Sequence, residues 1–233
     1  VKAFICTQDL KDENYINNHF VIMCTKKGQV KKTSLEQYSR PRSNGINAIT
    51  IKDEDELLEA KLTTGNSQIL MAVKSGKCIR FEEGKTRPMG RNASGVRGIR
   101  LQNDKDEVIG MVAVSDMESN ILVVSSNGYG KRSKLEDYRL TNRGGKGVKT
   151  ISITSKTGDL VAIKNVDDSN GLMIINKSGI AIRMAVENLR VMGRATQGVK
   201  LINIKEGDSI AAVAKVVHED DNENEDINEE TQE

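Results

Sequence analysis

The sequence predicts an all-β fold made of four similar units with four strands each. An apolar run, an X-Gly pair and a basic residue recur in this order four times, and sustained helical periodicity is absent. The turn glycines of the four copies are Gly28, Gly76, Gly128 and Gly179. They lie 48, 52 and 51 residues apart, and a fixed period of this length is typical of an array of similar modules. A second glycine follows in each copy, at Gly45, Gly95, Gly147 and Gly198.

The first two strands of each unit are predicted from a short apolar run and the turn after it. Residues 21–25 and 121–124 are runs of this kind, and their shortness between turn residues indicates buried strands. A pair such as Asn127-Gly128 suits a tight hairpin, because glycine adopts a positive φ without a Cβ clash.

The third and fourth strands are predicted after a polar stretch. Alternating apolar residues behind the second glycine, such as Val148, Ile151 and Ile153, indicate the third strand. An acidic turn leads to the fourth strand, of which residues 210–217 are one copy. Residues 1–7 resemble this fourth strand, so we expect them to end a preceding unit.

The predicted domain covers residues 1–217, with an acidic tail at residues 218–233. We place the repeats at about 18–66, 67–118, 119–169 and 170–217, and residues 1–17 at the end of a preceding unit and its connector. The polarity of the tail cannot support a core, so we expect disorder there. Nine of the 33 acidic residues lie in the tail, which leaves 35 basic and 24 acidic residues, a formal charge of +11, elsewhere. This asymmetry favours a polyanionic partner.

The composition of the chain indicates its cellular compartment and the kind of hydrophobic core that it can form. No apolar run approaches the roughly 18 residues of a membrane-spanning helix, so no membrane partner is expected. Aromatic residues make up only 3% of the chain, so its core must consist of aliphatic side chains and Met. Cys6, Cys24 and Cys78 form no metal-spaced cluster, and the latter two lie in or beside predicted strands, where cysteine usually packs as a small hydrophobe. This cysteine usage suits a reducing cytoplasm.

Basic residues recur at fixed positions of the repeat. Four residues after the turn glycine are Lys32, Arg80, Arg132 and Arg183. Shortly before the second glycine are Arg42, Arg91, Arg143 and Arg194, and eight residues before it are Arg87, Arg139 and Arg190. Further candidates in the same stretches are Lys31, Arg40, Arg97, Lys131, Lys149 and Lys200. Equivalent positions of similar units lie at one radius, so we expect a basic stripe that neutralises successive phosphates of double-stranded DNA.

The segment Arg143-Gly144-Gly145-Lys146-Gly147 is the sharpest local signal. Glycines let the backbone approach a ligand, consecutive N–H groups can cradle an anion, and the flanking Arg and Lys supply charge. The alternative is an ordinary flexible loop between strands. The segment is not a nucleotide-binding P-loop, because no Gly-Lys-Ser/Thr ending follows and a strand comes next.

The sequence contains no catalytic constellation. Its only histidines are His19, which precedes a strand, and His218, which begins the tail. The acidic pairs fall at turn positions, where solvated turn chemistry is the simpler account. An enzyme is therefore the least favoured class, and we expect no metal or cofactor for this chain alone.

Four stretches of the chain closely resemble the C-terminal domain of the DNA gyrase A subunit. They are GQVKKTSLEQYSRPRSNGI, GKCIRFEEGKTRPMGRNASGVRGIRL, NGYGKRSKLEDY and VMGRATQGVKLI. The resemblance extends from residue 1 to about residue 217 and implies a β-pinwheel, a propeller-like disc of four-stranded blades that exchange strands with their neighbours. The chain is similar to the last four of six blades. A basic rim that wraps DNA and supports negative supercoiling is the implied function.

The resemblance also implies partners beyond this chain. These are the remainder of the gyrase A subunit and the gyrase B subunit in an A2B2 holoenzyme, a type II topoisomerase that uses ATP and magnesium and is associated with the nucleoid. Its catalytic residues lie outside this region, so the chain alone is expected to be non-catalytic.

One departure from the family concerns residues 143–147. The family's signature box, a Gln and basic residues followed by Arg-Gly-Gly-Lys/Arg-Gly, lies in the first blade. Here the similar segment lies in the third repeat, with Thr141 and Asn142 in place of the leading residues. It is either a secondary wrapping contact or a relic of repeat duplication.

Two other functions stay open at this point. The equivalent domain of topoisomerase IV would handle DNA crossings with weaker wrapping. A propeller-type protein-interaction scaffold would show an apolar or mixed patch on one face instead of a basic rim.

Overall fold

The computed structural model describes residues 1–217, which form antiparallel sheets and one short α-helix. The predicted tail at residues 218–233 lies outside the described residues. Helix α1 spans Glu13–Asn18, and Asp12 caps it by accepting hydrogen bonds from the N–H groups of Asn14 and Tyr15. This helix was not predicted, because six residues are too few for a helical period to stand out.

The strands follow one another along the chain with a regular spacing. In chain order they are β1 (Phe20–Thr25), β2 (Gln29–Ser34), β3 (Leu57–Thr63), β4 (Gln68–Val73), β5 (Lys77–Glu82), β6 (Val96–Arg97), β7 (Val108–Val114), β8 (Asn120–Ser125), β9 (Tyr129–Lys134), β10 (Val148–Lys149), β11 (Leu160–Val166), β12 (Asn170–Asn176), β13 (Ala181–Ala185), β14 (Val199–Lys200) and β15 (Ile210–Val217). Their sheet orders are β3-β1-β2-β6, β10-β5-β4-β7, β11-β8-β9-β14 and β13-β12-β15.

Each four-stranded sheet takes one edge strand from the next repeat. β6 pairs with β2 of the first sheet, with Val96 opposite Val30 and Arg97 opposite Gln29. β10 pairs with β5, and β14 pairs with β9, in the same way. The expected all-β pinwheel of four-stranded blades with strand exchange is therefore confirmed.

The exchanged strands lie at the outer edge of the blades. At the opposite edge, β3 contacts β7, β7 contacts β11, and β11 contacts β15, so these four strands form the inner side. Backbone hydrogen bonds from Val108 N to Lys26 O at 2.8 Å and from Leu160 N to Lys74 O at 3.0 Å join each blade to the one before. Segments that precede the exchanged strands must consequently run along the perimeter.

The hydrophobic core lies between neighbouring blades. In β4, Ile69 and Met71 pack toward the first sheet, whereas Leu70 and Ala72 pack toward the third. A strand that is covered on both faces reads as a continuous apolar run, which explains why the central strands were predictable. Cys24 and Cys78 are buried in these layers, and burial raises the pKa of both thiols.

The predicted hairpins are also present. The turn glycines have φ angles of 84°, 79°, 80° and 88°, in the region that a Cβ disfavours. At Gly76 a Cβ would also come within 2.8 Å of Ile151 O, because the exchanged segment crosses directly over the turn. Both requirements favour glycine at this position.

Two sequence expectations about strands need correction. The third strand of the repeat is only two residues long, and Ile151 and Ile153 leave the ladder to pack in the core between the second and third sheets. Residues 1–7, and residues 46–51 behind the second glycine of the first repeat, where the pattern predicts a third strand, form no strand. Residues 1–4 lie beside residues 59–61 of the edge strand β3 without joining its ladder of hydrogen bonds.

A short 3-10 turn, which the sequence did not predict, follows the second strand of each repeat. These turns are Leu35–Tyr38, Glu83–Lys85, Leu135–Asp137 and Val186–Asn188. Among residues 1–217 no helix is long and apolar enough to cross a membrane.

Candidate nucleic-acid interface

Three basic positions recur on the perimeter in three successive repeats. They lie on the exchanged strand and on the loop that leads to it. The nine residues, which we call the rim cations, are Arg87, Arg91, Arg97, Arg139, Arg143, Lys149, Arg190, Arg194 and Lys200. The sequence predicted all nine, and the structure places them along one edge of the blades.

Six of the rim cations are exposed to solvent. They are Arg87, Arg97, Arg139, Lys149, Arg190 and Lys200. None of the six forms an ion pair with an acidic side chain within residues 1–217. Their charge is therefore available to an anionic ligand. Arg40, Arg42 and Lys146, also predicted, are exposed as well.

The other three rim cations, Arg91, Arg143 and Arg194, are half-buried and brace the perimeter. Arg143 donates from Nε to Lys85 O at 3.0 Å and from Nη1 to Arg97 O at 3.1 Å. Arg194 repeats this with Asp137 O at 3.0 Å and Lys149 O at 2.7 Å. Arg143 and Arg194 thus each fix the backbone of the exchanged strand of the preceding repeat, whereas Arg91 donates from Nη1 to Asn47 O at 3.5 Å.

Three of the four cations that lie four residues after the turn glycine make contacts between blades and form no exposed row, which corrects the sequence-based assignment. Lys32 is buried and pairs with the buried Glu83 at 2.8 Å across the junction of the first two blades. Arg80 donates to Leu135 O and Tyr138 O, both at 2.8 Å, in the 3-10 turn region of the next blade. These side chains clasp one blade to the next.

Arg132 makes the third clasp of this kind. It is buried, donates to the carbonyl of Leu189 in the following blade and pairs with Asp168. Arg183 holds the same position in the last blade, is exposed, and makes no ion pair or side-chain hydrogen bond within residues 1–217. Of this row only Arg183 stays a candidate for DNA contact.

Lys31 and Lys131 are corrected in the same way, because both are buried. Lys31 Nζ donates to Ala48 O at 2.6 Å and to the carbonyl of Arg91. Lys131 Nζ donates to Gly193 O at 2.6 Å and to Ser133. Burial lowers the pKa of each lysine to about 8, because the charged form loses its hydration.

The segment from Arg143 to Gly147 lies on the perimeter over the second blade. Gly147 has a φ of 70°, and a Cβ there would lie 2.6 Å from Cys78 O, so this glycine serves close packing of the loop on the strand. The N–H of Gly144 donates to Gly98 O at 2.6 Å. Gly145 and Lys146 are exposed and remain the part of the segment that faces solvent.

Two exposed cations beside this segment were missed by the sequence reasoning. Lys85 and Arg100 contact it through their backbones, since Lys85 O accepts from Arg143 and Arg100 N donates to Gly145 O at 2.8 Å. Neither position is basic in the other repeats, so no repeated signal could have identified them. Only the tertiary contacts place them on the perimeter.

Comparison with known proteins places this architecture in one family. A family model described as "DNA gyrase C-terminal domain, beta-propeller" matches residues 19–64, 68–115, 119–167 and 172–216. The DNA gyrase A subunit of Staphylococcus epidermidis is 44% identical over 223 residues, which is 95% of this chain and 24% of that protein. The chain thus spans about a quarter of the length of this relative.

Solved structures show the same fold at low sequence identity. The C-terminal domain of DNA topoisomerase IV matches with a TM-score of 0.81 and 22% identity, covering 86% of this chain and 62% of that one. The DNA gyrase A C-terminal domain matches with a TM-score of 0.78 and 21% identity, covering 91% and 68%.

Proposed function

The chain belongs to the DNA gyrase C-terminal domain family, and from this membership we propose that it binds double-stranded DNA along its outer edge and bends it. In this proposal it is a non-catalytic, DNA-wrapping module of a type II topoisomerase. The observation that carries the proposal is the repetition of the rim cations at equal positions of three repeats. Single exposed cations occur on any surface, whereas a row on one edge forms a continuous track.

The energetics favour bending on such a track. Bending 20–30 base pairs smoothly by 40–90° costs of the order of 1–6 kcal/mol. One phosphate contact raises affinity about eightfold, or about 1.2 kcal/mol, at 0.1 M salt relative to 1 M. Six exposed rim cations that each contact a phosphate would therefore contribute about 7 kcal/mol, which exceeds the cost of the bend.

The same reasoning predicts how the duplex is recognised. Contacts to phosphates carry no base information, so affinity is expected to be tolerant of sequence and steeply dependent on salt. The braces hold the backbone of the track in place before DNA arrives, which keeps the entropy cost of binding low. We expect the wrap to support negative supercoiling by the whole enzyme.

In this proposal the catalytic sites lie in other parts of the complete protein. Its partners are the remainder of the gyrase A subunit and the gyrase B subunit in an A2B2 holoenzyme, and ATP and magnesium act at sites in those parts. Its compartment is the bacterial cytoplasm, at the nucleoid. The relatives from Staphylococcus support this assignment, since they are bacterial gyrase A subunits.

A topoisomerase IV-type domain is the second candidate, because such a domain has the same fold at a TM-score of 0.81. The 44% identity to a gyrase A subunit favours the first candidate. Ligation of nicked plasmid in the presence of the chain separates the two. A gyrase-type wrap leaves a shift in linking number that grows with protein concentration, and an unshifted distribution would favour the second candidate.

The variant Arg143→Ala/Lys146→Ala is expected to bind a duplex of about 40 base pairs roughly tenfold to sixtyfold more weakly at 0.1 M salt. It loses the brace on Arg97 O and the exposed ammonium beside it. Fluorescence anisotropy across a salt series measures the effect, and Lys146→Ala alone serves as the variant that keeps the brace. Wild-type affinity and salt slope in the double variant would remove residues 143–147 from the track.

Removal of residues 219–233 is expected to tighten DNA binding at low salt. Nine acidic residues tethered to the chain compete with phosphates for the rim cations. The same anisotropy titration measures the change, and the gain should disappear at high salt, where the competition is screened. Equal or weaker affinity after the truncation would refute competition by the tail.

A further inference from the structure

Two of the three perimeter loops rest on a buried lysine. Lys31 lies under the loop that carries Arg91, and Lys131 lies under the loop that carries Arg194. The stems of both lysines touch the glycine that ends each loop, since a Cβ on Gly95 or Gly198 would lie 3.2 or 3.4 Å from the lysine Cβ. The ammonium groups then reach loop carbonyls.

The third perimeter loop lacks this support. The residue of the second blade that corresponds to Lys31 and Lys131 is Ile79, which lies opposite Met71 as Lys31 lies opposite Met23. A cavity of about 150 Å³ lies there, lined by Ile79, Arg139 and Lys146 among others. The same backbone position therefore accepts an apolar side chain without loss of the blade.

Burial of a lysine ammonium costs free energy, because the charged group loses its hydration. An apolar residue at this position avoids the desolvation penalty, and the second blade uses one. Lysine at the other two positions puts a charged donor onto the carbonyls of Arg91 and of Gly193, which is the residue before Arg194. The two lysines therefore hold the loop backbone from which the side chains of Arg91 and Arg194 extend.

We propose that Lys31 and Lys131 are positioning residues for DNA binding, which hold the Arg91 and Arg194 loops in the shape that presents the rim cations to the duplex. This inference rests on the proposed function. The lysines act through the loops and touch no DNA themselves. Loss of either ammonium frees its loop, so that the loop must be ordered when DNA binds, and affinity falls although no exposed charge has changed.

Lys131→Met tests this role, because methionine keeps most of the length of the stem and removes the ammonium. Lys131→Ile, which copies the isoleucine found at position 79 of the second blade, is the second variant in case the first folds poorly. We expect either variant to bind a duplex of about 40 base pairs about three- to tenfold more weakly at 0.1 M salt, with cooperative unfolding retained. Lys164→Gln, on the inner strand β11, removes one charge away from the perimeter and should bind as the wild type does.

A double-mutant cycle distinguishes positioning from general stability. If Lys131 acts through Arg194, Lys131→Met should cost little further affinity in an Arg194→Ala background. Full additivity of the two effects, or wild-type affinity in folded Lys131→Met and Lys131→Ile, would overturn the proposal. A wild-type chain that does not bind the duplex would instead overturn the proposed function on which the inference rests.

The pH dependence of binding gives an independent readout. Lys131 faces Asp137 and Arg194, whereas Lys31 faces Arg91 and shares the acceptor Ala48 O with the Tyr38 hydroxyl. With a pKa of about 8, each lysine is charged at pH 7 and largely neutral at pH 9, so the charge-assisted bonds to the loops weaken as the pH rises. Wild-type affinity should fall over this range more than that of Lys31→Met/Lys131→Met, and parallel pH profiles would contradict the proposal.

Discussion

Lys32→Met is expected to lower the free energy of unfolding by about 3–5 kcal/mol, because it leaves the carboxylate of Glu83 buried without its cation. Glu83 is fully buried and also accepts hydrogen bonds from Thr63 Oγ1 at 2.7 Å and Ser67 N at 3.1 Å. The ammonium further lies 4.1 Å from the centre of the Phe20 ring. Chemical denaturation measures the loss.

The matched control is Lys32→Met/Glu83→Gln, which removes both charges and keeps an acceptor for Ser67 N. Its cost should be well below the sum of the two single variants, since the double variant leaves no uncompensated charge. The double variant should also bind DNA as tightly as the wild type, because the Lys32 side chain is buried between two blades and is not exposed to a ligand. Additive stability losses, or weaker DNA binding by the double variant, would contradict the clasp.

Neutralising one exposed position of the rim in all three repeats is expected to weaken DNA binding about 500-fold at 0.1 M salt. The variant is Arg87→Gln/Arg139→Gln/Arg190→Gln. The figure follows from three phosphate contacts at about eightfold each. Stability should change little, since the three side chains are exposed and pair with no acid among residues 1–217.

The matched control for net charge lies on the inner strands. Lys61, Lys164 and Lys215 occupy equivalent places on β3, β11 and β15, opposite Ile22, Leu122 and Leu172. Their joint replacement by Gln removes the same charge from the opposite edge of the blades. We expect at most a few-fold loss of affinity, and equal losses for the two triple variants would mean that net charge, not the perimeter, binds DNA.

The sequence predicted the repeat, the hairpins and the nine rim cations because each is a property of spacing. It could not predict which basic positions are buried. Lys31 and Lys32 are adjacent, and in an exposed strand one of them would face solvent. Both are covered here, because a neighbouring blade packs on one side and the exchanged segment on the other. The common spacing therefore showed which basic residues are equivalent in the repeats, whereas the exposure of each one depends on tertiary packing.

The boundaries of the third strand of each repeat also depend on tertiary packing that the sequence pattern does not show. Apolar alternation after the second glycine indicated a strand, yet only Val148–Lys149 pairs, and the residues beyond turn into the core. The dual use of Arg143, as a brace and as a candidate DNA contact, was also beyond sequence reasoning. Its acceptors, Lys85 O and Arg97 O, are backbone atoms that belong to another repeat.

The salt dependence of affinity for a duplex of about 40 base pairs tests the central claim most directly. If the six exposed rim cations contact phosphates, the logarithm of the wild-type association constant should fall against the logarithm of salt concentration with a slope of about −5. The slope for Arg87→Gln/Arg139→Gln/Arg190→Gln should be shallower by about 2.7 units, irrespective of the DNA sequence. A flat wild-type dependence, or the same slope in both proteins, would contradict a DNA track on the perimeter.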